Sequence, residues 1–125
     1  MTDFFADTYA LFAALQGAPA YAEQFEARRG ATTALNVVEF AYGLRRRDLA
    51  AHLPSVLPPV LDLVVQPPHS VVDRAARFKA ERREAGAPCS YVDAWGYATA
   101  RWLDVPFLTG DDDFRGVPGV RFLKA

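Results

Sequence analysis

The most informative stretch of this sequence is Pro106-Phe-Leu-Thr-Gly-Asp-Asp-Asp-Phe114. It begins as a short apolar run with strand character and breaks at Gly110 into three consecutive carboxylates. Adjacent acids repel one another unless water or a cation absorbs the charge. A solvated turn would explain the stretch, because Asp and Gly are common turn formers. Three further acids along the chain favour a binding site at the end of a strand instead.

Composition limits the class of protein before any motif is considered. The chain has 125 residues and is 51% apolar, enough for one domain with a real core. The net charge of -1 provides no overall basic field that would attract nucleic acid. Cys89 is the only cysteine, so no internal disulfide forms. Without a long apolar span or a signal peptide, we expect a soluble, cytoplasmic protein.

Strand and helix patterns alternate along the whole sequence. We predict short strands at residues 1–6, 31–35, 60–65, 105–109 and 120–123. Helices are predicted at residues 9–15, 20–29, 37–46, 48–57, 70–85 and 91–103. This order predicts an α/β fold with three α/β/α layers and a parallel sheet of about five strands. The whole of residues 1–125 would form a single domain.

Two acids are predicted in the first turns of helices. Asn36 lies three residues before Glu39, and Ser90 lies three residues before Asp93. Both pairs match a cap followed by an acid at the third helical position. Capping alone would explain either acid, and a helix N-terminus also favours the ionised carboxylate by roughly 0.3–1 kcal/mol.

Two more acids follow predicted strands. Asp7 follows the first strand, where it could also cap a helix, and Asp111 follows the strand at residues 105–109. In a parallel sheet, the carboxyl ends of the strands and the amino ends of the following helices share one edge. We therefore expect Asp7, Glu39, Asp93 and Asp111 to converge.

Four carboxylates without His or Cys form a hard, all-oxygen set of donors. Such a set prefers Mg²⁺ or Mn²⁺ to Zn²⁺. These ions can activate water and stabilise the leaving oxygen of a phosphodiester. Hydrolysis of a nucleic-acid backbone is the chemistry that suits the site best. Asp113 could reach a metal or accept hydrogen bonds from its own turn, whereas Asp112 is interpreted as a solvated turn residue.

Four sequence motifs together resemble those of the PIN domain family, and in particular the compact VapC-type toxins. Each motif is weak alone, but they occur in the order of the family and span nearly the full chain. The matching stretches are Asp7-Thr-Tyr-Ala-Leu11, Asn36-Val-Val-Glu-Phe-Ala-Tyr-Gly-Leu44, Asp93-Ala-Trp-Gly-Tyr-Ala-Thr-Ala100 and Leu108-Thr-Gly-Asp-Asp-Asp-Phe114.

The resemblance implies a function and a set of roles. It implies a five-stranded parallel sheet, Mg²⁺- or Mn²⁺-dependent endoribonuclease activity, inhibition by a small cognate antitoxin, and often a homodimer. Thr109 would support the acidic site, as would Thr8, which could cap the first helix. The metal-binding and catalytic acids would be Asp7, Glu39, Asp93 and Asp111, with Asp113 as a fifth metal ligand.

Basic and aromatic residues suggest where RNA and a partner could bind. Arg45, Arg46 and Arg47 are candidate contacts for RNA phosphates, since an acidic site repels a polyanion. A second basic cluster lies on the helix at residues 70–85. For both clusters a solvated face is the simpler explanation, and contact of some of these arginines with RNA phosphates is the alternative. Some aromatic residues of the first two helices could form a groove for an antitoxin helix, although most should be core. This set is Tyr9, Phe12, Tyr21 and Phe25.

Two other functions compete with a toxin ribonuclease. The first is a housekeeping nuclease of the same fold that processes RNA or cuts DNA. The second is a non-catalytic, PIN-like module that keeps the fold and works by holding a partner. The intact set of four acids argues against the second, because a scaffold does not need them.

Overall fold

The computed structural model describes all of residues 1–125. Its centre is a parallel sheet of four strands in the order β2-β1-β3-β4. The strands are β1 (Phe4–Ala6), β2 (Gly30–Ala31), β3 (Phe107–Thr109) and β4 (Val120–Phe122).

Six α-helices surround the sheet, and none is long and apolar enough to cross a membrane. Short 3-10 turns at Ala50–His52 and Asp112–Phe114 complete the regular structure. The helices are α1 (Thr8–Leu15), α2 (Pro19–Ala27), α3 (Ala34–Arg46), α4 (Leu53–Leu61), α5 (Val71–Glu84) and α6 (Tyr91–Leu103).

The side chains of β1 point alternately to the two faces of the sheet, and each face has its own core. Phe4 and Ala6 point into a large core that is packed by α1, α2, α3 and α4. Phe5 points to the opposite face, where its ring stacks on Phe107 in the core beneath α6. Successive residues of a strand face opposite sides, so three buried residues in a row bury both faces of the sheet. The predicted three-layer α/β/α architecture is confirmed.

The prediction of a strand at residues 60–65 is wrong, so the sheet has four strands rather than about five. Helix α4 continues through Pro58 and Pro59, which were expected to end it, and runs to Leu61. The apolar residues of this region pack on the larger core, and that burial outweighs the hydrogen bonds that proline cannot donate. A single parallel bridge between Thr32 and Val64 is all that remains of a fifth strand.

The start of α3 also differs from the sequence prediction. Thr33 is the N-cap, and its hydroxyl accepts the N–H of Asn36 at 3.3 Å. The predicted cap at Asn36 is therefore wrong, and Glu39 lies in the second turn of the helix rather than the first. The cap moves because Thr33 ends an extended segment paired through Thr32, where the chain can turn into the helix.

Candidate functional site

The strand order defines a crevice at one edge of the sheet. From β1 the chain crosses to β2 on one side, whereas from β3 it crosses to β4 on the other. The carboxyl ends of β1 and β3 therefore flank a topological switch point, where parallel α/β sheets bind ligands. Asp7 directly follows β1, and Asp111 follows β3 after Gly110. We call this region the acidic edge.

Asp7 is the buried centre of the acidic edge, with 3% of its surface exposed. One carboxylate oxygen caps α1 by accepting the N–H of Ala10 at 2.9 Å. The other accepts the hydroxyl of Thr109 at 2.5 Å. Asp7 thus fills the cap position that the sequence also allowed for Thr8, and Thr8 is instead the first helical residue.

Burial raises the pKa of Asp7 to about 7, because the charged carboxylate is removed from water. The hydrogen bonds from Thr109 and Ala10 oppose this shift, and the negative charges of Asp93 and Asp111 add to it. The ionised form of Asp7 is therefore costly unless a positive charge comes near.

Thr109 links Asp7 to the acidic turn that follows β3. Its hydroxyl oxygen accepts the N–H of Asp111 at 3.0 Å while its hydrogen goes to Asp7. Asp111 in turn accepts the N–H of Asp113 at 3.0 Å. The half-buried Asp111 side chain is therefore fixed by its own turn, whereas Asp113 is exposed. Thr109, which the sequence resemblance names as a support of the acidic site, lies between Asp7 and Asp111.

Asp93 lies at the first turn of α6 in a capping box with Ser90. Burial raises its pKa, the hydrogen bonds from Ser90 oppose the shift, and the carboxylates of Asp111 and Glu39 raise the pKa further. The negative charges of Asp93 and Asp111 raise the pKa of Asp7, and those of Asp111 and Glu39 raise the pKa of Asp93. Asp93 and Asp111 therefore lie near Asp7, and Glu39 lies near Asp93.

The same acids do not form a preassembled metal cluster. No three Asp, Glu, His or Cys side chains lie close enough together to hold an ion as they stand. The donor set of the acidic edge is nevertheless all oxygen, which suits a hard divalent cation. A cation there would also offset the burial of charge and the smaller repulsion between carboxylates, which together raise the pKa values of Asp7 and Asp93.

Asn36 is a buried polar residue of this edge that sequence analysis treated only as a cap. Its side-chain oxygen accepts the hydroxyl of Thr33 at 2.6 Å, and its amide nitrogen donates to the hydroxyl of Thr8 at 3.3 Å. The contact ties α3 to α1 beside Asp7. The spacing of Thr33 and Asn36, with a polar residue three positions after a cap, was the available signal.

The C-terminal residues also reach the acidic edge. Lys124 donates to the carbonyl of Gly110 at 3.0 Å and to the carboxylate of Asp112 at 3.1 Å. Asp112 also pairs with Arg115, and the hydrogen bonds from Arg115 and Lys124 lower its pKa. No sequence pattern links residue 124 to residues 110–112, because only the pairing of β3 with β4 brings them together.

The arginines predicted to contact RNA lie away from the acids. Arg45 and Arg46 are in the last turn of α3, and Arg47 is its C-cap. The guanidinium groups of Arg46 and Arg47 lie over aromatic rings, those of Tyr42 and Phe12. Arg45 is six residues beyond Glu39, or about 9 Å along the helix axis at about 1.5 Å per residue.

The aromatic residues considered for a partner groove belong mainly to the core. Tyr21 is fully buried, and its hydroxyl donates to the carbonyl of Leu123 at 2.6 Å. Tyr9, Phe12 and Phe25 are partly buried against the larger core. The interpretation of most of this set as core is confirmed.

The sequence model of the PIN domain matches residues 4–120. The chain belongs to the PIN domain family. That match covers β1, β2, β3 and the four acids of the acidic edge and ends at Val120, the first residue of β4, so the family resemblance read from the motifs is confirmed. No curated protein sequence is similar enough to match.

Solved structures share the PIN fold over the full length of the chain. VapBC-5, a member of the VapBC family of toxin-antitoxin systems from Mycobacterium tuberculosis, is 25% identical, with 100% of both chains covered and a TM-score of 0.69. VapBC2 from Rickettsia felis, bound to a DNA fragment from its promoter, is 14% identical, with 99% of both chains covered and a TM-score of 0.78. DNA-bound VapBC from Salmonella typhimurium is 17% identical, covers 99% and 98% of the two chains, and has a TM-score of 0.78.

Proposed function

We propose that residues 1–125 form a single nuclease domain that hydrolyses RNA phosphodiesters as the toxin of a toxin-antitoxin pair. Membership of the PIN family and the fold shared with VapBC toxin-antitoxin proteins support this class. The observation that carries the proposal is the buried carboxylate of Asp7 at the switch point, held by Thr109 and Ala10, with Asp93 and Asp111 near enough to raise its pKa further.

The proposed cofactor is Mg²⁺ or Mn²⁺. Asp7, Glu39, Asp93 and Asp111 would hold it, with Asp113 as a further ligand. The ion supplies activation of water and neutralisation of charge on the phosphate. Because the carboxylates are not preassembled, the half-buried side chains must adjust around the ion when it binds.

The chain's own residues hold the catalytic acids in place. Thr109 and the N–H of Ala10 fix both oxygens of Asp7, so this carboxylate keeps one orientation. Ser90 fixes Asp93 through the capping box. Both acids also lie at helix N-termini, whose positive ends favour the ionised carboxylate and an incoming phosphate.

The proposed partners follow from the same function. RNA is the substrate, a small cognate antitoxin is the inhibitor, and two copies of the chain form a homodimer in the cytoplasm. Arg45, Arg46 and Arg47 would contact RNA phosphates at a distance from the scissile bond. All three are exposed, and no carboxylate lies within ion-pair distance of them.

A cleavage assay on mixed cellular RNA, with the ends mapped, tests the function. We expect cleavage with Mg²⁺ or Mn²⁺, no cleavage in excess chelator, and a loss of about a hundredfold or more in the Asp93→Asn variant. Asn at position 93 keeps the size of the side chain, and a matching circular dichroism spectrum would show that the variant folds. Full activity of this variant, or of the wild type in chelator, would refute the mechanism.

Two alternatives are decided by related measurements. A housekeeping nuclease would cut defined RNA precursors or DNA, and its expression alone would not arrest growth. The absence of a preassembled cluster favours a second candidate, a non-catalytic binding module. Calorimetry that finds no binding of Mg²⁺ or Mn²⁺ would support that module over the nuclease.

A further inference from the structure

A basic cleft lies between α5, α6 and the loop before β4. We call it the arginine cleft, and its volume is about 420 Å³. A single stripe along α5 forms one wall, and α6 with the loop at residues 117–118 forms the other. The charged residues that line it are Arg74, Arg77, Glu81 and Arg82 from α5 and Arg101 from α6.

Most of the positive charge in the arginine cleft has no partner. Arg77 pairs with Asp73 at 2.9 Å on the exposed surface of α5. Arg74, Arg82 and Arg101 have no carboxylate within ion-pair distance. A solvated helix face would account for the arginines of α5, but it does not explain why α6 adds another to the same cleft. Four arginines against one glutamate give the cleft a net positive charge, which attracts polyanions.

The arginine cleft opens beside the acidic edge. The half-buried Arg82 donates to the backbone carbonyl of Asp113 at 3.1 Å. Burial chiefly raises the pKa of Cys89, the charge of Asp93 raises it further, and the charge of Arg82 lowers it. Asp93 and Arg82 therefore both lie near Cys89. From Arg82 the stripe runs back to Arg74, about 12 Å along the helix at about 1.5 Å per residue.

We propose that the arginine cleft binds the phosphates of single-stranded RNA where the strand leads away from the acidic edge. This inference rests on the proposed function, because a strand that is cut at the acids must continue across a neighbouring surface. The acidic edge repels a polyanion, and the unpaired arginines beside it offset that repulsion. The planar guanidinium group can donate two hydrogen bonds to one phosphate. Phe78 and Tyr97, stacked at 4.1 Å between ring centres, give the cleft a flat apolar wall.

Fluorescence anisotropy with a labelled single-stranded RNA of about a dozen nucleotides tests the assignment. All proteins carry Asp93→Asn, so the probe is not cut. The test variant is Arg74→Gln with Arg77→Gln and Arg101→Gln, all exposed and away from the acids. The matched control replaces three exposed arginines outside the cleft with Gln, namely Arg28, Arg29 and Arg83.

The test variant should bind RNA at least about tenfold more weakly. The slope of log affinity against log salt should become less steep by about 2, since each phosphate contact on a single strand contributes about 0.7 to its magnitude. The control should lose less than the test variant in both quantities. RNA affinity and salt slope that match in the test variant and the control would overturn the assignment. So would a polyglutamate peptide that binds more tightly than RNA and loses its affinity in the test variant.

Failure of this inference can be told apart from failure of the proposed function. Wild-type cleavage of RNA with unchanged binding by the test variant would remove the cleft assignment and leave the nuclease intact. Weakened binding by the test variant, without any cleavage by the wild type, would keep the cleft and remove the nuclease.

Discussion

The acidic edge and the arginine cleft bear opposite charges and are built in opposite ways. The acidic edge collects side chains from segments up to about a hundred residues apart, and its central carboxylate is buried. The arginine cleft comes mainly from two helices that follow one another in the chain, and most of its guanidinium groups are exposed. At the acidic edge, burial makes the loss of one hydrogen bond or charge costly. At the arginine cleft, several exposed charges act together, and salt screens them.

Replacement of Asp7 by Asn should give the largest effect on stability. In the folded protein the pKa of Asp7 is raised to about 7, above the value of about 3.9 in an unfolded chain. Its contribution to stability is therefore complete below about pH 4 and is lost as the pH rises through about 7. Without divalent ions, the free energy of unfolding of Asp7→Asn at pH 8 should be higher than that of the wild type by up to about 4 kcal/mol, at 1.36 kcal/mol per pKa unit.

Urea unfolding in chelator at acidic and alkaline pH measures this difference. Asn keeps the capping oxygen, so the helix cap should survive. The exposed Asp113→Asn variant is the control and should show little dependence on pH relative to the wild type. A stability difference between Asp7→Asn and the wild type that stays constant across the range would contradict burial as the cause.

Addition of Mg²⁺ at about pH 7.5 should stabilise the wild type, because an ion at the acidic edge binds only the folded state. The gain should reach about 2.7 kcal/mol at a hundredfold excess over the dissociation constant. Asp7→Asn should lose most of the gain, whereas Asp62→Asn, at the exposed end of α4, should keep it. Equal gains in all three proteins would show that Mg²⁺ binds elsewhere.

Replacement of Thr109 by Val should cost about 1–3 kcal/mol, since it removes a hydroxyl that serves one buried and one half-buried partner. Asp7 loses a donor, and the N–H of Asp111 loses its acceptor. Thr109→Ser retains the hydroxyl and should recover most of the loss. Urea unfolding of both variants at the same pH checks this. A Ser variant as unstable as the Val variant would assign the effect to packing instead.

Exchange of arginines should have the smallest effect on folding and should separate the two basic regions. Triple Gln variants of the arginine cleft and of Arg45–Arg47 should each change stability by less than about 0.5 kcal/mol, as exposed positions usually do. Affinity for single-stranded RNA should fall more in the cleft variant, because only the cleft adjoins the acidic edge. Equal losses in anisotropy titrations would extend the RNA path to the end of α3.

The sequence was sufficient for the layers and for the family, but not for every boundary. The apolar run at residues 60–65 fits a strand or a buried helix equally well, and the structure divides it: α4 ends at Leu61, and Val64 forms only an isolated bridge with Thr32. Glu39 reached the acidic edge although its predicted cap was wrong, because Thr33 starts the same helix only three residues earlier. The roles of Asn36 and Lys124 depend on contacts across the sheet that no local pattern encodes.

Local patterns of polarity and turn residues predicted the alternation of strands and helices and the positions of the acids relative to them. Those patterns, together with the rule that parallel strands share one carboxyl edge, led to the prediction that four acids converge. Only the tertiary structure decided that Asp7 is buried with a raised pKa, and that the arginines of α5 and α6 line one cleft beside it. The physical reason is that burial and charge proximity depend on distances through space, which sequence spacing specifies only within a single helix or strand.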